Sequence, residues 1–121
     1  FAEYYSKINF QNYNFFSAGT IKRANRYVPI FALEAALKFE VNMSNHLSKN
    51  IKDIEEKNID VFIVMDRENY YDLIKKFKVN KNKILFLSNK QDILDPYNEN
   101  LNNFILTYKC ISKELDLLFK K

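Results

Sequence analysis

Few side chains in this sequence could do chemistry: one histidine, His46, one cysteine, Cys110, and acids set where polar segments interrupt apolar runs, above all Asp95 in Asp95-Pro96. A loop carboxyl can give a proton to a departing oxygen and later take one from water. The proline after it disfavours helical backbone at Asp95 and keeps that residue extended. Each candidate also has a plain structural alternative. Asp-Pro alone commonly starts a turn. Ser17-Ala18-Gly19-Thr20 is an ordinary strand exit with the only glycine, Met65-Asp66 can simply cap a helix, and a single histidine is usually a satisfied structural group. Cys110 lies inside a helical pattern, away from any helix N-terminus or glycine-rich loop that would make its sulfur a nucleophile, and reads as structural.

The elements that must position these residues follow from apolar spacing. Phe1 to Ile8 reads as the end of a helix, and Tyr13 to Phe16 as a short aromatic strand. Pro29 suits the first turn of a helix that continues to about Glu40 with Ile30, Leu33 and Leu37 facing the core. Ser44-Asn45 is expected to cap a second helix over 46–57, in which Leu47, Ile51 and Ile54 recur at four and three. Ile59 to Val64 and Ile84 to Leu87 are nearly continuous apolar runs, as in strands buried on both faces. A helix over 66–78 separates them, and Leu101, Phe104, Tyr108, Ile111, Leu115 and Leu118 mark a long closing helix.

Alternating strands and helices imply one α/β domain over residues 1–121, with three layers: a short parallel sheet with helices on both faces. In such sheets ligands bind beyond the C-terminal strand ends, where Ser17 to Thr20, Met65-Asp66 and Ser88 to Asp95 are all expected to fall.

Composition narrows the classes of function. With 47% hydrophobic and 28% charged residues, the 121-residue chain has the makings of a packed core rather than of a disordered segment. Eleven Phe and eight Tyr with no Trp predict an aromatic core. No apolar run approaches the roughly 20 residues of a membrane span, so no membrane partner is expected. The net charge of +4 is spread among Asn, Asp and Glu rather than gathered in a stripe, so nucleic acid is not an expected partner either. One cysteine supports neither a disulfide framework nor a cysteine metal cluster and fits a reducing cytoplasm.

Five short segments, in order, give the chain a resemblance to the low-molecular-weight protein tyrosine phosphatase family. Phe1-Ala2-Glu3 resembles the start of the helix after that family's Cys-x5-Arg-Ser-Pro phosphate loop, and Ser17-Ala18-Gly19-Thr20 its segment after the second strand. Asn45 to Lys49 is similar to its histidine-centred helix start, Met65-Asp66 with Asn69 to its Met-Asp-x-x-Asn, and Asp95-Pro96-Tyr97 to its acid loop.

The resemblance implies phosphomonoester hydrolysis through a phosphocysteine, without cofactor or metal, acting on a phosphotyrosine protein or a small aryl phosphate. Asp95 would be the general acid and then base, Tyr97 an aromatic wall at the substrate rim, and Ser17 and His46 supports beneath the phosphate loop. Asn98 stands where the family often has a second aromatic. Residues 1–121 contain no Cys-x5-Arg and so no nucleophile. The resemblance thus also implies that the central first strand and the phosphate loop are absent, that the chain alone is inactive, and that a longer protein carries the activity. The lone cysteine argues against the related arsenate reductases, which relay electrons through several. The alternative is a catalytically dead phosphatase-like interaction module.

Overall fold

The computed structural model describes residues 1–19, 28–94, 96 and 100–120. Among the described residues, four α-helices are formed: α1 (Ala2–Asn9), α2 (Ile30–Leu37), α3 (Arg67–Lys75) and α4 (Leu101–Phe119). Two parallel strands, β1 (Phe62–Val64) and β2 (Ile84–Phe86), pair with Phe62 opposite Ile84 and Val64 opposite Phe86. The chain between them holds α3, the crossover that a parallel pair requires.

Side chains alternate across a strand, and here each face finds its own cover. Val64, Ile84, Phe62 and Phe86 pack with Leu73, Tyr70, Ile74 and Phe77 of and just after α3. Ile63, Met65 and Leu87 pack on the opposite side with Ala32, Ala35 and Ala36 of α2 and Phe104, Tyr108, Ile111 and Leu115 of α4. The α/β reading with helices on both faces of a short parallel sheet therefore stands. The buried residues of the main core are mostly aliphatic, with Phe10, Phe104 and Tyr108 the aromatic ones, and further rings pack partly buried around them: the Tyr108 ring stacks on Phe1 at 4.1 Å between centroids and meets Phe104 edge-on at 6.0 Å.

Three expected elements differ. Residues 13–16 form no strand; they run without a ladder until Gly19, which makes a single parallel bridge to Asn50. Aromatic β-propensity describes a fit to a pleated surface and does not make a strand without a pairing neighbour.

The helix expected over 46–57 is replaced by two single-turn 3-10 helices, Ile51–Asp53 and Glu56–Asn58. The backbone at Gly19 accounts for this, because its N–H donates to the Lys49 carbonyl at 2.7 Å and its carbonyl accepts from the Ile51 N–H at 2.9 Å. These groups are then engaged sideways rather than along a helix. Asn50, fully buried, completes the turn by accepting the Lys52 N–H on its side chain at 3.0 Å.

In α2 the buried residues are Ala32, Ala35 and Ala36, while Ile30 and Leu37 of the expected core face are 68% and 60% exposed. Small side chains let α2 lie close against α4. The helix also stops early, at Leu37, and the chain turns through Glu40 at φ 62°.

Candidate active site

The first group of expected site residues assembles on α1. Glu3, in its first turn, turns its carboxylate toward the segment that leads to Gly19. There Ser17 donates its hydroxyl to one carboxylate oxygen, and Lys7, one helical turn on, donates to the other at 2.6 Å. The i, i+4 spacing places Lys7 beside Glu3 on one helix face. The neighbouring Tyr4 meets the His46 ring edge-on at 5.2 Å and 84°. Lys7 is in turn 5.6 Å from the centre of the Tyr4 ring. Ser17 and His46, 29 positions apart in sequence, are thus both brought to the start of α1, through Glu3 and Tyr4.

Burial pushes the Glu3 carboxyl up, but the hydrogen bonds from Lys7 and Ser17 outweigh it and hold the group below its usual 4.5. Burial also dominates at His46, lowering the imidazole from its usual 6.5 against the pull of the Glu3 carboxylate. At neutral pH the pair is therefore an ionised carboxylate beside a neutral imidazole. This arrangement can orient hydrogen-bond donors around a loop.

The depressed folded value of Glu3 stabilises the fold above the unfolded value near 4.5, and that stabilisation is lost as pH falls through the lower folded value. Glu3→Gln is accordingly expected to lower stability at pH 7 by about 0.5–1 kcal/mol, a small figure because solvent partly screens the carboxylate. The gap in urea midpoint between the two proteins should narrow as the pH falls below 4.5 and close once it has passed through the lower folded value. A gap unchanged from pH 7 to pH 3 would assign the effect to packing instead of charge.

The second group gathers at the C-terminal ends of the strands. The Leu87 N–H donates to the Val64 carbonyl at 2.8 Å, prolonging the parallel pairing, and the Ile93 N–H returns to the Met65 carbonyl at 2.7 Å. Asp66 caps α3, its carboxylate accepting the Asn69 N–H at 2.7 Å, which is the structural alternative considered for it. Arg67 Nε then lies 3.6 Å from an Asp92 oxygen. Ile93 is buried, Leu94 is 70% exposed, and Pro96 is buried. Asp95 and Tyr97 fall outside the described residues.

Cys110 is half-buried in the middle of α4, packed against the core. Among the described residues, no three His, Cys, Asp or Glu side chains cluster as metal ligands, and no helix is long and apolar enough to cross a membrane.

Sequence reasoning missed Glu3 and Tyr4 as the residues that collect Ser17 and His46. The only advance signal for Glu3 was Lys7 four residues later. Arg67 and Asp92 were missed too, being 25 residues apart with no shared motif.

Several solved structures share this architecture. Wzb of Vibrio vulnificus, determined in complex with benzylphosphonate, aligns over 98% of this chain and 86% of its own at a TM-score of 0.87 and 20% identity. The low molecular weight protein tyrosine phosphatase of T. tengcongensis aligns over 98% and 87% at a TM-score of 0.87 and 21% identity. The YwlE arginine phosphatase of Geobacillus stearothermophilus aligns over 98% and 80% at 0.86 and 16%. At these identities the likeness establishes the fold. No curated protein matches the sequence significantly. The family model for low molecular weight phosphotyrosine protein phosphatase matches residues 1–121, the whole of the chain. The chain therefore belongs to the low molecular weight phosphotyrosine protein phosphatase family.

Proposed function

We propose that the protein hydrolyses phosphotyrosine in proteins, or small aryl phosphates, with Asp95 protonating the departing phenol oxygen and then activating the water that cleaves a phosphocysteine. The attacking thiolate is that of the family's Cys-x5-Arg loop and not Cys110, whose place in α4 is against the core. The observation that supports this reading best is the return of Ile93 to Met65. A hydrogen bond of 2.7 Å anchors the chain at the strand ends two residues before Asp95, in the crevice where parallel sheets bind their ligands. Pro96, the next residue, is buried, and a proline disfavours helical backbone at the residue before it. Tyr97 is proposed to stand beside the substrate ring. Ser17 and His46, gathered by α1, are proposed to support the loop that holds the phosphate. A cytoplasmic location is proposed with it, because a phosphocysteine cycle needs a reduced thiol.

Relatives of the same fold include an arginine phosphatase as well as tyrosine phosphatases, so the test must offer both substrates. The full-length protein is expected to favour a phosphotyrosine peptide over the matching phosphoarginine peptide by at least about tenfold in kcat/KM, the scale set by one well-placed side chain in a pocket. Phosphate release measured on both peptides decides it. Preference for phosphoarginine would overturn the substrate assignment.

A further inference from the structure

The segment that carries Asp95 is fastened to the sheet at two kinds of point. One is the Ile93 N–H to Met65 carbonyl bond, together with the buried Ile93 side chain, in the main chain and core. The other is electrostatic: Arg67, the first residue of α3, places its Nε 3.6 Å from a carboxylate oxygen of Asp92, three residues before Asp95. Both anchors converge where β1 ends, since Met65 carries the carbonyl and Arg67 follows two residues later. Arg67 is held in place by its helix, whose cap is the Asp66 carboxylate bonded to the Asn69 N–H at 2.7 Å. Among the described residues, Asp92 is the carboxylate paired with Arg67. Asp92 is 28% exposed at its side chain, against 74% for Arg67, so the loop's carboxylate is the more sheltered partner.

From this geometry we infer that Arg67 is a positioning residue for the acid loop, acting through Asp92 to hold Asp95 at the distance from which it can deliver its proton. The inference rests on the reading of Asp95 as the proton donor. Proton transfer depends on donor placement to within a fraction of an ångström, so a tether three residues away acts on the steps in which Asp95 gives or takes a proton. An ion pair this exposed contributes modestly, and the expected effect is correspondingly modest.

The test compares two aryl phosphates in the full-length protein, one whose phenol leaves only when protonated and one whose acidic phenol leaves unaided. Arg67→Gln and Asp92→Asn are each expected to lower kcat/KM, which reports the steps through release of the phenol, about two- to fivefold on the first substrate, with no effect on the second. The exchanged pair, Arg67→Asp with Asp92→Arg, should recover most of the loss, and about 1 M salt should erase the difference between wild type and Arg67→Gln. A structural role would lower both substrates alike and would not be rescued by exchange. Equal losses on both, or no loss on either, overturn the inference. Asp95→Asn in the same assay separates the two readings. If it fails to distinguish the substrates, the acid role falls and this inference with it. If it distinguishes them while Arg67→Gln does not, only the tether falls.

Discussion

Asp95→Asn in the full-length protein is expected to lower kcat on an aryl phosphate by about 10²–10⁴-fold, the range a positioned general acid supplies. Inhibition by inorganic phosphate should stay within about twofold of wild type, because the proton is needed in the transition state and not to hold the ground-state anion. Steady-state kinetics with phosphate as a competitive inhibitor gives both numbers. The reason for so large an effect is the leaving group. A phenolate expelled without a proton carries full negative charge on its oxygen, and each factor of ten in rate is about 1.4 kcal/mol of barrier. Asparagine keeps the shape and can donate a hydrogen bond, but it has no proton to surrender. Parallel losses in turnover and phosphate affinity would instead mark Asp95 as part of the anion-binding surface.

The second large effect lies in the core. Phe104→Ala is expected to destabilise the fold by about 3–5 kcal/mol, a large share of the roughly 5–15 kcal/mol that holds a domain together. Phe104 is 5% exposed and meets Tyr108 edge-on, so its removal leaves a cavity as well as losing burial. Leu106, two residues on in the same helix, is 64% exposed and supplies the control. Leu106→Ala should move the urea midpoint by no more than about 0.5 kcal/mol in equivalent stability. Equal losses for the two variants would mean that α4 is packed in another orientation.

Why α4 was legible and α2 was not is a matter of contrast between faces. Along α4, Phe104, Tyr108, Ile111 and Leu115 recur at four, three and four, with Thr107, Lys109, Ser112, Lys113 and Glu114 marking the opposite side, and these four are the buried ones. The sequence of α2, Ile-Phe-Ala-Leu-Glu-Ala-Ala-Leu, is apolar on nearly every side. Periodicity then cannot pick the inner face, and close approach to α4 selects the alanines. The segment over 46–57 failed for a different reason. Its apolar spacing is compatible with a helix, yet its backbone pairs with Gly19, some 30 residues away, and nothing within the segment announces that partner. The two later strands were read correctly in kind and too long in extent, since apolar residues continue past the paired segments Phe62–Val64 and Ile84–Phe86, while the strand expected over 13–16 did not form.

The site divides along the same line. Local signals were readable: Asp66 as a cap and Met65 at a strand end each depend on near neighbours. Long-range partnerships were not. The bond from Ser17 to Glu3, the ring contact of His46 with Tyr4 and the ion pair of Arg67 with Asp92 all join residues whose spacing has no period. Asp95 and Tyr97 rest on the resemblance; near them in the chain, Ile93 and Pro96 are buried.

The claim that Asp95 is the proton donor is tested most directly by the dependence of kcat/KM, which reports the steps through release of the phenol, on the acidity of that phenol, measured for wild type and Asp95→Asn over a series of substituted aryl phosphates. The account expects a nearly flat dependence for wild type, where every phenol leaves protonated. For Asp95→Asn it expects a steep fall as the phenol becomes less acidic, with the two proteins converging on the most acidic phenols. Two parallel lines of equal slope, however far apart, would contradict it.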